Sequence, residues 1–272
     1  MIERQLASLK VEKSNRIVVY SAVTNAFDGI YEPKWIRPDV DYYMFSDNSD
    51  EISSDIWNIK KIDFTYRDPR RLAKIFKLFP HYLFPNYKFS IWIDASMEIY
   101  GNLFELIKKY LIDKKKVIAL CKHMKRENIR EETNKCILAG LDNEVLLKAQ
   151  IDYYNKAGFP DDIQLSAGGF ILRKHNDLQC KSLMDTWWKQ IDNFSSRDQL
   201  SFNYSCWQQN LIPCIMEIDQ HKNKYFKIHP HPYFLVYNNK GQPMINKNII
   251  LSKMKHWITS SKLFAIMKQL IK

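Results

Sequence analysis

The residues best suited to chemistry are a few acids and bases set at the ends of apolar runs. The run Phe89-Ser90-Ile91-Trp92-Ile93 stops on Asp94, followed by the small residues Ala95 and Ser96. A carboxylate at the C-terminal end of a central strand is costly to bury unless a metal, a hydroxyl or a hydrogen-bond donor meets it. In open α/β sheets that edge is where ligands bind, although a strand-ending Asp that caps an ordinary turn leaves the same pattern. Upstream, Arg70, Arg71, Lys74 and Lys77 put cations at helical spacing. Arg71 and Lys74, near the helix start, can reach a diphosphate, the guanidinium supplying planar paired donors; a solvated basic face is the plainer alternative. Gly168-Gly169 precedes an apolar run, where missing side chains let a ligand approach the backbone. His229-Pro230-His231 sets two imidazoles in a stiff loop, a pair that suggests a metal without supplying a full ligand set.

The elements that position these residues follow from periodicity. Residues 16–23 and 42–48 read as short strands of a parallel sheet, the second ending in Ser46-Asp47-Asn48. Each ends in a polar turn, Thr24-Asn25 after the first and Asp47-Asn48 after the second, and such turns share one sheet edge. A third strand is expected over 57–62. Asp68 and Pro69 open a helix as N-cap and first helical residue. A loop over 81–86 leads into the Asp94 strand, with Phe89, Ile91 and Ile93 on one face and Ser90 and Trp92 on the other. Asn102 to Leu111 reads as a short helix, Val117 to Cys121 as a strand and Glu127 to Glu132 as a charged segment. A helix over 144–157 stops at Gly158-Phe159-Pro160, and an aromatic-rich helix spans 183–191. Ser196 is placed to cap a helix beginning near Arg197, with Asp198 and Gln199 in its first turn. The segment from Ile249 to Lys272 is amphipathic and basic, suited to a membrane surface or to docking on the sheet.

Composition narrows the class. The 272 residues are 46% apolar and 14% aromatic, enough for a sizeable core. Only 7 glycines occur, and neither a dinucleotide-binding nor a Walker-type glycine pattern is present. The net charge of +11 favours anionic partners such as nucleotide phosphates, nucleic acid or an acidic membrane face. Five scattered cysteines without a CxxC pair read as reduced structural thiols of a cytoplasmic protein. No secretory h-region opens the chain, and no stretch of about 18 apolar residues is available to span a membrane.

In order, the TNAFDG turn, the SDN turn, the DPRRxxK helix, SIWIDA, the segment His123-Met124-Lys125-Arg126, GGFILRKHN, TWW and RDQLSF resemble one family. It is the glycosyltransferase-like family of the plant mucilage-related rhamnogalacturonan galacturonosyltransferases and bacterial glycosyltransferase domain-containing proteins, and the resemblance covers roughly residues 16 to 235.

That resemblance implies an α/β, GT-A-type nucleotide-sugar-binding fold, with a mostly parallel central sheet flanked by helices, in a single domain expected over residues 1–245; the residue pattern beyond it is expected to form a basic amphipathic helix over 246–272. It implies transfer of a sugar from a UDP-sugar to a glycan or lipid-linked acceptor, with retention suggested by the plant relatives. Localisation would be cytoplasmic, or peripheral at the acidic inner membrane face. Asp94 then resembles the first acid of an Asp-x-Asp signature that holds Mn²⁺ or Mg²⁺ and the donor ribose. Ser96 stands where the second acid belongs, and a hydroxyl is a poor ligand for these ions. His229 or His231 would add a metal ligand by analogy with glycogenin-like transferases. Thr24, Asn25, Asp47 and Asn48 are assigned to base and ribose, and Arg70, Arg71 and Lys74 or a metal to the diphosphate. His123, Arg126, Gly168, Gly169 and Asp198 are assigned to the sugar. For inversion, the candidate base is Asp198 with Glu132 second; for retention, Asp198 or Gln199 faces the anomeric carbon. RNA binding through aromatic stacking, and a metal-dependent hydrolase built on Asp94 with His229 or His231, remain alternatives. No RNA-binding motif supports the first, and nucleic acid is not the expected partner.

Overall fold

Runs of β-branched and aromatic residues make the strands, and polar residues end them. The computed structural model describes residues 2–12, 16–25, 27–230, 235–237 and 243–245. The helix α1 (Ile2–Ala7) leads into β1 (Ile17–Val23), β2 (Val40–Ser46) and β3 (Asn58–Lys61). Helices α2 (Pro69–Leu78) and α3 (Pro80–Leu83) precede β4 (Phe89–Ile93) and β5 (Met97–Ile99). Helix α4 (Leu103–Ile107) runs into a π-helical turn at Lys108–Ile112. Then come β6 (Ile118–Lys122), α5 (Ile129–Leu138), α6 (Glu144–Lys156), β7 (Ser166–Arg173), α7 (Leu178–Asn193), α8 (Gln199–Gln208), β8 (Cys214–Met216) and β9 (Phe226–Ile228).

The central sheet has 7 strands in the order β3-β2-β1-β4-β7-β6-β8. Strand β1 pairs in parallel with β2 and β4, β2 with β3, and β6 with β8, while β7 runs antiparallel to β4 and β6. The sheet is therefore mostly parallel and flanked by helices, the α/β architecture expected from the sequence. Alternation sends Val18, Tyr20, Trp92 and Ile171 into a core with Ile75, Phe76 and Trp187. It sends Val19, Phe89, Ile91 and Ile93 into a second core with Leu103 and Leu106. Burial on both faces explains why β1, β2 and β4 are apolar almost throughout. Each fully buried Leu, Ile or Phe contributes about 1.5–3 kcal/mol of transfer free energy.

Several local expectations hold. Asp68 caps α2 by accepting from the Arg71 N–H, with Pro69 at the first helical position. Gly158, at φ +79°, follows the end of α6. Others shift. The third strand is narrower than expected, α3 occupies part of the expected loop over 81–86, and α7 begins at Leu178, where the Asp177 side chain caps the Gln179 N–H. The charged segment 127–132 largely joins α5, capped by Asn128.

Ser196 does not cap α8. Its backbone N–H and its Oγ both donate to Asp142 Oδ2, at 3.0 and 3.1 Å, and Ser195 Oγ donates to the same oxygen at 2.6 Å. Asp198 occupies the N-cap instead, in αR backbone geometry and with no side-chain capping bond. Its carboxylate is thereby released to partners elsewhere. The five cysteines are free and buried. Among the described residues no helix is long and apolar enough to cross a membrane. The expected helix over 246–272 lies outside the described residues.

Candidate active site

Strands β1, β2, β4 and β6 all end at one edge of the sheet, and the start of β7 joins them there. Ile93 pairs with Phe170, and the Asp94 N–H donates to the Gly169 carbonyl at 2.8 Å. Asp94 Oδ1 accepts the Trp92 indole N–H at 2.8 Å and lies 3.5 Å from the Lys77 ammonium. Lys77 also forms an ion pair with Asp198 Oδ2, and Lys74 meets that oxygen at 3.2 Å. Two carboxylates and two ammonium groups from α2, the end of β4 and the start of α8 thus form one chain of alternating charge. The Lys77 side chain is 1% exposed and that of Asp94 is 39% exposed, so the tetrad runs from the interior to the open edge.

Electrostatics follow from that order. Burial favours neutral forms throughout, and partners then decide the outcome. For Asp198, burial is outweighed by Lys74 and Lys77, which hold the carboxyl far below its usual range. For Asp94, Lys77 and Lys74 likewise outweigh burial, and the pKa falls. Burial pulls Lys77 down, but Asp198 and Asp94 more than compensate and raise it. Lys74 moves the other way: its burial and the neighbouring Lys77 ammonium prevail over Asp198. A carboxylate held so strongly ionised is a weak proton acceptor, which argues against Asp198 as a general base.

The glycine pair is built into this arrangement. A Cβ on Gly168 would lie 3.0 Å from Asp198 Oδ2 and 3.3 Å from Lys77 Nζ. One on Gly169 would lie 2.6 Å from Met97 Cε and 3.2 Å from Asp94 Oδ2. The glycines admit the two acids to the strand.

Other expected residues are placed differently. Arg70 donates to the Leu141 carbonyl at 2.7 Å. Arg71 donates to the Ile191 carbonyl at 3.1 Å, to the Phe194 carbonyl and to Asp68, pinning α2 to the end of α7. Both guanidiniums are engaged in holding the fold. Thr24 Oγ1 donates to the Pro69 carbonyl at 2.7 Å, and the Asn25 N–H donates to both Asp47 carboxylate oxygens at 2.9 Å. The Asn48 N–H bonds Ser46 Oγ. The turns after β1 and β2 meet through Asn25 and Asp47, while Thr24 ties the first turn to the start of α2 and Asn48 bonds back to the end of β2.

A second cluster lies beyond β6. His123 Nδ1 accepts the Arg126 N–H at 3.0 Å, and burial with the Arg126 charge lowers the imidazole pKa. The Arg126 guanidinium meets Glu132, whose other oxygen lies 3.7 Å from Arg197. The Glu132 side chain is only 1% exposed. Enclosed between two guanidiniums, it is not placed to act as a base.

Sequence reasoning passed over Lys77 and Arg197 as site residues. The signal for Lys77 was present: it stands between Phe76 and Leu78, where a solvated cation is out of place. Arg173, in the family-like stretch after Gly169, is fully buried and donates to the Lys77 carbonyl at 2.6 Å and to the Tyr20 hydroxyl. Tyr20 donates to the same carbonyl at 3.0 Å. That stretch fixes the end of α2 rather than touching the open edge.

The donor set does not fit Mn²⁺ or Mg²⁺, which need several charged oxygens around one point. Asp94 has an ammonium at 3.5 Å, and Ser96 is buried with its carbonyl accepting the His229 N–H. His229 is not directed to Asp94. Its Nε2 lies 2.8 Å from Glu98 Oε2 and its ring stacks on Tyr31 at 3.9 Å, while Lys34 meets Glu98 at 2.6 Å. Among the described residues no group of 3 or more His, Cys, Asp or Glu could hold a metal ion. His231 lies outside the described residues.

Comparison with known proteins adds the family. A model of the TOD1/MUCI70 glycosyltransferase-like domain matches residues 4–231. The chain is 29% identical over 220 residues to the probable hexosyltransferase MUCI70 of Arabidopsis thaliana, covering 72% of this chain and 38% of that protein. It is 28% identical over 222 residues to the alkaline ceramidase TOD1 of Arabidopsis thaliana, covering 69% and 47% respectively. The chain spans less than half the length of these relatives. The apo structure of the bifunctional glycosyltransferase WbbM aligns with a TM-score of 0.42 and 10% identity, over 76% of this chain and 39% of that one. The family match takes in every strand from β1 to β9 and both acids of the tetrad, and on it the chain belongs to the TOD1/MUCI70 glycosyltransferase-like domain family.

Proposed function

We propose that the chain transfers a hexosyl or related sugar from a nucleotide-sugar, with UDP as the carrier, to a glycan or lipid-linked saccharide. The observation that carries this reading is the convergence of Asp94, Asp198, Lys74, Lys77, Gly168 and Gly169 at the ligand-binding edge of a mostly parallel sheet. Asp94, the exposed end of the tetrad, accepts hydrogen bonds from ribose or sugar hydroxyls. Asp198 and the half-buried Gln199, at the start of α8, stand beside the transferred sugar.

In the reaction the bond between the anomeric carbon and the diphosphate oxygen breaks, its electron pair leaving with the diphosphate. The acceptor hydroxyl oxygen bonds the anomeric carbon. With Asp198 ion-paired and Glu132 enclosed, the hydroxyl proton passes to the departing diphosphate oxygen, a route compatible with retention. The +11 charge suits an acidic membrane face, where a lipid-linked acceptor would be presented. A second reading, cleavage of ceramide, rests on the likeness to the alkaline ceramidase TOD1.

A panel of nucleotide-sugars read by thermal stabilisation tests the proposal, since a ligand at 100 times its Kd adds about 2.7 kcal/mol. A UDP-sugar is expected to stabilise the protein and to yield a glycosylated product. Equal stabilisation by ATP, or none by any nucleotide-sugar, refutes it; turnover of ceramide without sugar transfer establishes the second reading.

A further inference from the structure

The tetrad at the sheet edge is electrically balanced: Lys74 and Lys77 are matched by Asp94 and Asp198. It therefore offers no surplus charge to an anion, and the described acids and histidines do not form a cation site. The neighbouring cluster is not balanced. Glu132 is a single buried carboxylate, yet two guanidiniums, Arg126 and Arg197, face its two oxygens. One acid neutralises one of them. The other charge remains uncompensated within the cluster, and the two side chains stay 23% and 34% exposed.

The cluster borders the tetrad. Arg197 precedes Asp198 and its charge helps to depress that carboxyl. Arg126 follows β6, whose last residues Cys121 and Lys122 pair with Ala167 and Ser166, immediately before the glycine pair. A buried acid of this kind costs stability unless it fixes something. Here it meets Arg126 through Nε and Arg197 at 3.7 Å; Arg126 Nη2 lies 3.0 Å from His123 Nε2, and the remaining donors of the two guanidiniums form no ion pair with another described acid.

We infer that Arg126 and Arg197, held on Glu132, form the oxyanion site for a diphosphate and replace a divalent cation in that role. The inference rests on the proposed use of a nucleotide-sugar, but it makes its own binding claim. Guanidinium pairs match phosphoryl oxygens in geometry as well as charge. They also stabilise the negative charge that grows on the diphosphate as the sugar leaves. Arg70 and Arg71 instead bond backbone carbonyls, of Leu141 and of Ile191 and Phe194, that join α2 to neighbouring segments.

The test is calorimetric titration of the whole chain with inorganic pyrophosphate, UDP and uridine, in EDTA. Pyrophosphate and UDP are expected to bind without added metal. Arg126→Gln and Arg197→Gln should each weaken both by roughly tenfold or more, the scale of a charge-assisted hydrogen bond, and leave uridine unchanged. Arg126→Lys and Arg197→Lys, which keep the charge on Glu132 and serve if a Gln variant does not fold, should weaken pyrophosphate by about threefold or more. Undiminished pyrophosphate affinity in either variant pair, or binding that appears only on adding Mn²⁺, overturns the inference. Arginine-dependent pyrophosphate binding with no nucleotide-sugar bound would sustain the oxyanion site while removing the proposed donor. Sugar transfer at unchanged KM in the Gln variants would do the reverse.

Discussion

Lys77→Met is the most informative single perturbation of the tetrad. Met matches the length of the lysine stem and removes only the ammonium, which sits 1% exposed between Asp198 and Asp94. The loss leaves Asp198, itself 11% exposed, with Lys74 as its remaining lysine partner, and leaves Asp94 with the Trp92 indole. Breaking a buried ion pair by removing one partner costs about 3–5 kcal/mol, because the other charge stays behind. At about 2–4 °C per kcal/mol for a domain of this size, Tm should fall by roughly 6–20 °C. The double variant Lys77→Met, Asp198→Asn removes one charge of each sign, so its cost should be smaller than the sum of the single costs by about 1–3 kcal/mol. Urea denaturation of the four proteins measures this, with constant m as the check that the unfolded state is shared. If the two substitutions add to within about 0.5 kcal/mol, the lysine and the acid are not coupled and the electrostatic account of the site is wrong.

Asp94→Asn should reduce sugar transfer by about 10²-fold or more while changing Tm little, since the carboxylate is at the open edge and its shape is kept; near-native turnover would show that the site lies elsewhere. Gly168→Ala presses a methyl against Asp198 Oδ2 at 3.0 Å and Lys77 Nζ at 3.3 Å, and should destabilise by about 1–3 kcal/mol, whereas Gly169→Ala, which meets the flexible end of Met97, should cost less; the reverse order in urea melts would contradict the placement. Burial, with minor help from neighbouring cations, holds the pKa of His81 at about 4 and, despite a bond to the Phe84 carbonyl, that of His175 at about 3. The unfolded chain takes up these protons near pH 6.5 and the native state does not, so stability is full above that pH and falls through about 4 and about 3, by up to about 1.4 kcal/mol per pH unit for each histidine. A Tm flat between pH 7 and pH 4.5 would refute the buried, neutral state of both rings.

Much of the architecture was legible because it depends on local patterns. The apolar runs ending at Val23, Ser46 and Ile93 gave parallel strands with one chemically active edge, and Asp68-Pro69 gave the start of α2. Asp94, Asp198 and the glycine pair stood out as unusual residue types at element ends, and Lys74 as one of four cations at helical spacing. What the sequence could not decide is which charge meets which. Arg71 and Lys77 look alike along α2, yet one bonds the carbonyls ending α7 and the other enters the space between two acids. Asp198 looked like a first-turn acid of a helix capped by Ser196, until Asp142 drew the serine away and left the carboxylate to the lysines. Glu132 read as the end of a charged segment and as the second candidate base, and it lies buried between Arg126 and Arg197. Strand and helix formation follow short-range periodicity, which a linear sequence carries. Ion pairing depends on distance and desolvation, which are set only when segments remote in the chain are packed against one another.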